Sequence, residues 1–336
     1  MVLVTGGTGL VGAHLLYKLV SNNEPVRAIY RTEKKLQNVK NVFSGYTENY
    51  KSLFDKIDWV NADILDIPSL DEALKNVDYV YHCAAFVSFE PDKYQQLRRT
   101  NIEGTANIVN LCITNKVKKL CYVSSIATIG KPLKDIPITE EIAWNPEEDN
   151  NVYAITKYGA ELEVWRGTQE GLDAVIVNPG VILGAGIWRY GSGSLFKKVH
   201  KGLKYYTSGS IGLVSVKDVV EIMTLLLKSD IKNKRYILVA ENWSYKAFFQ
   251  TIAKALNVKQ PQKTAKPWLL HMAWRLDWLK RLITGKRRVL TKQVVNSLIT
   301  TKEYSSKKIE KELDYSFEPI SNCITRVADL YLKQEV

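Results

Sequence analysis

Tyr153-Ala-Ile-Thr-Lys157 sets a phenol and an ammonium four residues apart. On a helix that spacing advances roughly 6 Å and returns to nearly the same face, so both groups reach one cleft. A free tyrosine ionises near pH ~10, and general acid–base work at neutral pH asks for a pKa about 3 lower, or ~4 kcal/mol. One positive charge at ~4 Å and an effective dielectric of ~20 supplies about that much. The pair predicts proton transfer by Tyr153, tuned by Lys157. Many amphipathic helices contain the same spacing, so its neighbours decide its weight. The run CYVSSIATIG, residues 121–130, ends an apolar stretch in Ser124 and Ser125. A serine hydroxyl there can donate to a carbonyl oxygen as it gains negative charge. Turn capping is the plainer use of two serines at a strand end.

A third stretch, TGGTGLVG (residues 5–12), follows the apolar Met1–Val4 and enters the helix-like Leu10–Leu19. Such a turn leaves backbone N–H groups unpartnered at the positive end of a helix, and glycine lets a ligand approach closely. It predicts a bound phosphate. The second strand runs VRAIYRTEKK, with Tyr30 where an acid would meet the 2′-hydroxyl of NAD. Arg31, Lys34 and Lys35 come next and suit a 2′-phosphate. NADP is therefore expected, with NAD the alternative. Asp63, in NADILD, stands where it can accept from the adenine amino group, and HCAA (residues 82–85) supplies small residues beside a cofactor. Ordinary strand-end sequence is the alternative for both.

These groups need a scaffold. Val2–Val4, Val26–Tyr30, Ile57–Val60, Tyr79–His82, Leu120–Ser124 and Ala174–Val177 read as strands. Leu10–Leu19, Ser69–Leu74, Tyr94–Thr114 and Ala154–Thr168 read as helices between them. The alternation predicts an α/β fold, a doubly wound parallel sheet of the Rossmann kind. Past Pro179 the pattern loosens; IGLVSV, a helix from about Asp218 and RYILVA (residues 235–240) follow, and the chain turns mainly helical from Trp243. The expected division is a dinucleotide-binding domain over 1–180, to which 213–242 returns. A smaller, mainly helical substrate-binding part covers 181–212 and 243–336.

TGGTGLVG, HCAA, NIEGT (residues 101–105), YVSS and YAITK stand in the order and spacing of the extended short-chain dehydrogenases/reductases, which the chain resembles over roughly residues 1–240. The resemblance implies Tyr153 as general acid/base, Lys157 as its partner and ribose ligand, Ser125 as the carbonyl-binding serine, and Asn101 as a supporting asparagine. The cofactor contacts expected with it are Gly6, Thr8, Gly9, Leu10, Val11, Gly12, Arg31, Lys34, Asp63, Ile64, Ala84, Ala85, Ser124, Tyr153, Lys157, Pro179 and Val181. No metal is implied. Two subgroups compete. SGSIGLVSVKDVVEI (residues 208–222) lacks the arginine usual in sugar-nucleotide epimerases and dehydratases, and SSIATIG lacks a dehydratase's acidic pair. VNPGVILGAG and ITGKRRVLT look closer to the dihydroflavonol-reductase and 3β-hydroxysteroid-dehydrogenase branch, which implies a ketone or secondary alcohol on a bulky apolar molecule. Trp188, Tyr190, Tyr205 and Tyr206 would line its pocket. A non-catalytic NADP-sensing regulator is the reading from another class; it normally lacks the Tyr/Lys pair.

The 336 residues are 46% hydrophobic, enough for one large domain or two closely joined ones. Cys83, Cys112, Cys121 and Cys323 show no metal or CxxC spacing and read as buried free thiols of a reducing compartment. His14, His82, His200 and His271 are scattered and read as structural. A strand starting at Met1 leaves no room for a signal peptide, so a cytoplasmic setting is expected. The net charge is +12, but nine basic residues and one acid between Lys263 and Lys292 carry +8 of it, without any nucleic-acid-binding signature.

Within that segment, Trp268, Leu269, Met272, Leu276, Leu279 and Ile283 form a helical stripe assigned to the core. Leu270, Trp274, Trp278 and Leu282 form a second line, with Arg275, Lys280 and Arg281 around it. This line fits a lid over the substrate pocket, a homodimer contact, or peripheral contact with an anionic membrane.

Overall fold

The computed structural model describes residues 1–132, 136–284 and 290–335. In chain order the strands are β1 (Val2–Thr5), β2 (Val26–Tyr30), β3 (Asp58–Asn61), β4 (Tyr79–His82), β5 (Lys119–Val123), β6 (Ala174–Pro179), β7 (Val181–Leu183), β8 (Tyr205–Tyr206), β9 (Ser210–Ser215), β10 (Lys234–Leu238), β11 (Glu241–Ser244) and β12 (Lys263–Thr264). Seven of them pair in parallel in the order β3-β2-β1-β4-β5-β6-β10. Helices cover both faces, so central strands such as β1 and β6 are buried throughout and read as unbroken apolar runs.

Leu15, Leu16 and Leu19 of the helix Leu10–Ser21, with Val219 and Met223 of the helix Val216–Lys228, cover one face. Ile108, Val109, Ala160 and Val164 cover the other. The strand order reverses beside β1, and the crevice outside the carboxyl ends there is where such sheets bind ligands. Thr5, His82 and Tyr122 pair across β1, β4 and β5, so the glycine turn and Ser124 leave the sheet at one level, ~10 Å apart at two strand spacings.

The late strands are shared between two sheets. β10 joins the large sheet beside β6, whereas β9 pairs with β7 and β11 in a small second sheet. The C-terminal part has its own core of Phe196, Val199, Phe248, Ile252, Ile324 and Tyr331. Trp188 belongs to that core and not to a substrate pocket: it is 4% exposed, stands edge-on to Tyr331, and donates to Gln334.

The helix Pro267–Thr284 corrects the stripe assignment. Trp268, Leu269, Met272, Leu276, Leu279 and Ile283 face outward, while Leu270 and Trp274 are half-buried. Trp278 is exposed, and the Leu282 side chain lies outside the described residues, as do Lys286, Arg287 and Arg288 of ITGKRRVLT. Polar contacts on the inner side set this rotation: Arg281 pairs with Asp92, and the Leu290 amide donates to Asp277 at 2.9 Å.

Candidate active site

The helix Leu10–Ser21 begins at Gly9 with no side-chain cap and no acid in its first turn. Its leading N–H groups are left to the crevice. Gly6 has φ +67°, and a Cβ there would stand 2.5 Å from the Ala84 amide nitrogen. A Cβ on Gly12 would stand 2.3 Å from the Gly6 carbonyl oxygen. Backbone thus packs on backbone at the turn, and the cradle fits a dinucleotide's pyrophosphate. Behind it, buried His82 links Thr5 at 2.6 Å to Thr105 at 2.9 Å. Burial lowers the His82 pKa to about 3, so the ring is neutral and structural. His14 is held likewise between Tyr46 and the Ala185 carbonyl, its pKa lowered to about 4 by burial.

Farther along the crevice, Arg31 Nη1 lies 3.5 Å from Asp63 Oδ2, both half-open to solvent, and Lys34 is exposed. Ile64 is buried, its carbonyl accepting from Asn107. Ala84 is half-buried and Ala85 exposed. Pro179 is buried at the end of β6, and Val181 is half-buried one residue beyond Gly180.

The helix Val152–Gln169 is capped by Asn151, whose side chain accepts from the Ala154 amide. Its second residue is Tyr153. The Ser125 hydroxyl stands beside the Tyr153 phenol, and Phe89 stands edge-on to the Tyr153 ring at 5.5 Å. Burial raises the Tyr153 pKa, and the neighbouring Ser125 hydroxyl opposes it. This reverses the direction expected from the Tyr/Lys spacing. Lys157, 1% exposed, directs its ammonium at the Tyr122 hydroxyl (2.7 Å) and the Val123 carbonyl (2.8 Å). Burial lowers its own pKa to about 7, against the pull of Glu161 and Cys83.

Two expected site residues have specific partners in the structure. Ser124 donates its hydroxyl proton to Glu161 Oε2 at 2.6 Å. Asn101 is held by its surroundings. It sits in a wide π-type turn, Arg98–Glu103, inside the long helical stretch that begins at Tyr94. Its amide clamps both backbone groups of Phe86 and donates to Thr156 Oγ1 at 3.2 Å. It therefore ties the loop after β4 to the helix of Tyr153. The Glu161 cluster escapes sequence reasoning altogether. Asn178 Nδ2 donates to Glu161 Oε2 at 2.9 Å, and Arg235 Nη1 pairs with Oε1 at 3.1 Å. The signal available was the spacing itself, since Tyr153, Lys157 and Glu161 follow one another at four-residue intervals.

Tyr190 lies on the cofactor side: its hydroxyl accepts from Asn38, which also reaches the Thr8 carbonyl. Tyr205 and Tyr206 form β8, paired with β12. Cys112, Cys121 and Cys323 are buried free thiols and Cys83 is half-buried. Among the described residues no group of three His, Cys, Asp or Glu is placed to hold a metal ion.

Residues 2–240 match the family model of the NAD dependent epimerase/dehydratase family. The chain belongs to that family. The dihydroflavonol 4-reductase of Synechocystis sp., so named provisionally, is 29% identical over 81% of this chain and 77% of its own. The 3 beta-hydroxysteroid dehydrogenase/Delta 5-->4-isomerase of vaccinia virus is 26% identical over 95% and 94%. Among solved structures, gox2253 superposes with a TM-score of 0.82 at 25% identity, covering 100% of this chain and 98% of that one. The family membership, with these relatives, makes the chain an NAD(P)-dependent oxidoreductase or epimerase of the extended short-chain superfamily.

Proposed function

We propose that the chain interconverts a ketone and a secondary alcohol on a bulky apolar molecule, with NADP as cofactor. The observation that carries this reading is the Ser125 hydroxyl beside the buried Tyr153 phenol, with the apolar Phe89 against the Tyr153 ring. The glycine turn and Lys157 would hold the cofactor, which when bound supplies or takes up a hydride. Ser125 donates to the carbonyl oxygen as negative charge gathers there. Tyr153 gives that oxygen its proton in reduction and takes it back in oxidation. Exposed Val87 and Phe89 on the loop after β4 suit an apolar substrate. Reductases and a steroid dehydrogenase among the relatives support the same substrate class.

The test is turnover of NADPH and NADH against two panels, apolar ketones and sugar nucleotides, with wild type and Tyr153→Phe. The expected result is NADPH oxidation with apolar ketones, falling ~10²–10⁴-fold in kcat for Tyr153→Phe while cofactor affinity holds within about threefold. Turnover confined to sugar nucleotides would replace this reading with epimerase or dehydratase chemistry. A variant keeping more than about a tenth of kcat would remove Tyr153 as the proton donor.

A further inference from the structure

The outward face of the helix Pro267–Thr284 is apolar along its whole length. Leu276 is 60% exposed and Ile283 76%, and Trp268, Leu269, Met272 and Leu279 accompany them. At roughly 100° per residue the six fall within an arc of about 100°. Arg275 borders the arc on one edge and Lys280 on the other; Asp277, the helix's one acid, lies well outside it. The opposite face is engaged with protein through half-buried Leu270 and Trp274 and the Arg281–Asp92 pair.

We propose that this face docks on an anionic lipid surface, with the helix lying in the plane of the interface. Charge selects lipid over a second copy of the chain. The segment Lys263–Lys292 carries nine cations against one acid, so packing it on itself would set like charges together. An anionic surface instead meets cations on both edges of an apolar stripe, with Trp268 suited to the headgroup level. No helix among the described residues is long and apolar enough to cross a membrane, so the contact is peripheral. The Arg281–Asp92 pair joins the docked helix to the loop whose Phe89 meets Tyr153. If the substrate is apolar, which rests on the reductase reading, the bilayer lies beside its route to the site.

Co-sedimentation of the full chain with phosphatidylcholine vesicles, with and without phosphatidylglycerol, tests the docking at low and high salt. It needs no turnover, so its failure is separate from failure of the reductase reading. The expected result is binding to phosphatidylglycerol vesicles at low salt, about tenfold weaker at high salt, and much weaker on phosphatidylcholine alone. Leu276→Glu/Ile283→Glu should abolish it with the unfolding temperature and NADPH affinity unchanged. Lys280→Glu, which keeps the stripe, should weaken it several-fold. No binding at low salt, or equal binding to both vesicles, overturns the proposal. A dimer that dissociates in the Leu276→Glu/Ile283→Glu variant, without vesicle binding, assigns the face to a second copy.

Discussion

The hydroxyl of Ser124 donates to Glu161 across 2.6 Å, where the end of β5 meets the helix of Tyr153 and Lys157. Glu161 is 1% exposed, and Arg235 at the edge of the sheet completes its coordination. One carboxylate thereby fastens the catalytic helix to the strand end. Ser124 turns inward to it, and Ser125, the next residue, stands beside Tyr153.

Glu161→Gln should expose the strength of that clamp. The amide keeps the shape but sets an NH₂ where the carboxylate accepts from Ser124 and Asn178 or pairs with Arg235. Removing one partner of a buried ion pair costs about 3–5 kcal/mol. Urea unfolding should show a loss of that order, and kcat should fall with cofactor affinity nearly kept. A stability within about 0.5 kcal/mol of wild type would mean that the cluster holds nothing in place.

The sheet was legible because its strands are covered on both faces, so buried runs such as Val26–Tyr30 need no periodicity to stand out. Boundaries moved by a residue or two: β3 is Asp58–Asn61, and the helix expected from Asp218 starts at Val216 behind its Ser215 cap. The glycine turn and the Tyr/Lys pair were legible because each is a local spacing. What failed depended on distant partners. A helical wheel over Pro267–Thr284 shows two apolar lines, and contacts outside the helix, of Arg281 with Asp92 and of Asp277 with the Leu290 amide, decide which one faces in. Trp188 reads equally as pocket or core until Tyr331 and Gln334 are placed around it. The direction of the Tyr153 shift needs its burial, which no four-residue spacing contains.

The proposed preference for NADP rests on Arg31. Its guanidinium meets Asp63 only at 3.5 Å and is half-exposed, so most of its donors remain to be directed at a 2′-phosphate. Arg31→Ala/Lys34→Ala should weaken NADPH by roughly tenfold to a hundredfold and NADH by less than about threefold. Fluorescence titration of both cofactors checks this. Equal wild-type affinity for the two would remove the phosphate-reading role.

Lys157 gives a pH-dependent stability of definite sign. Its pKa is about 7 in the folded chain against 10.5 for an ordinary lysine, with burial as the main cause. Between those values the unfolded chain binds more protons than the folded one, so this group makes stability rise with pH. Below pH about 7 the ammonium is charged in both states, and the full cost of burying it is present. Lys157→Met removes that cost and fills similar space with an apolar chain. The variant should therefore be more stable than wild type at pH 6, by an amount on the order of a few kcal/mol, and the gap should close as pH approaches about 10. Lost bonds to Tyr122 and Val123 subtract from the gain at every pH, so the slope of the difference is the cleaner readout. Urea unfolding of both proteins across pH 6–10 measures it. A difference that does not change with pH would show that Lys157 titrates normally, and the desolvated ammonium at the centre of this site would have to be given up.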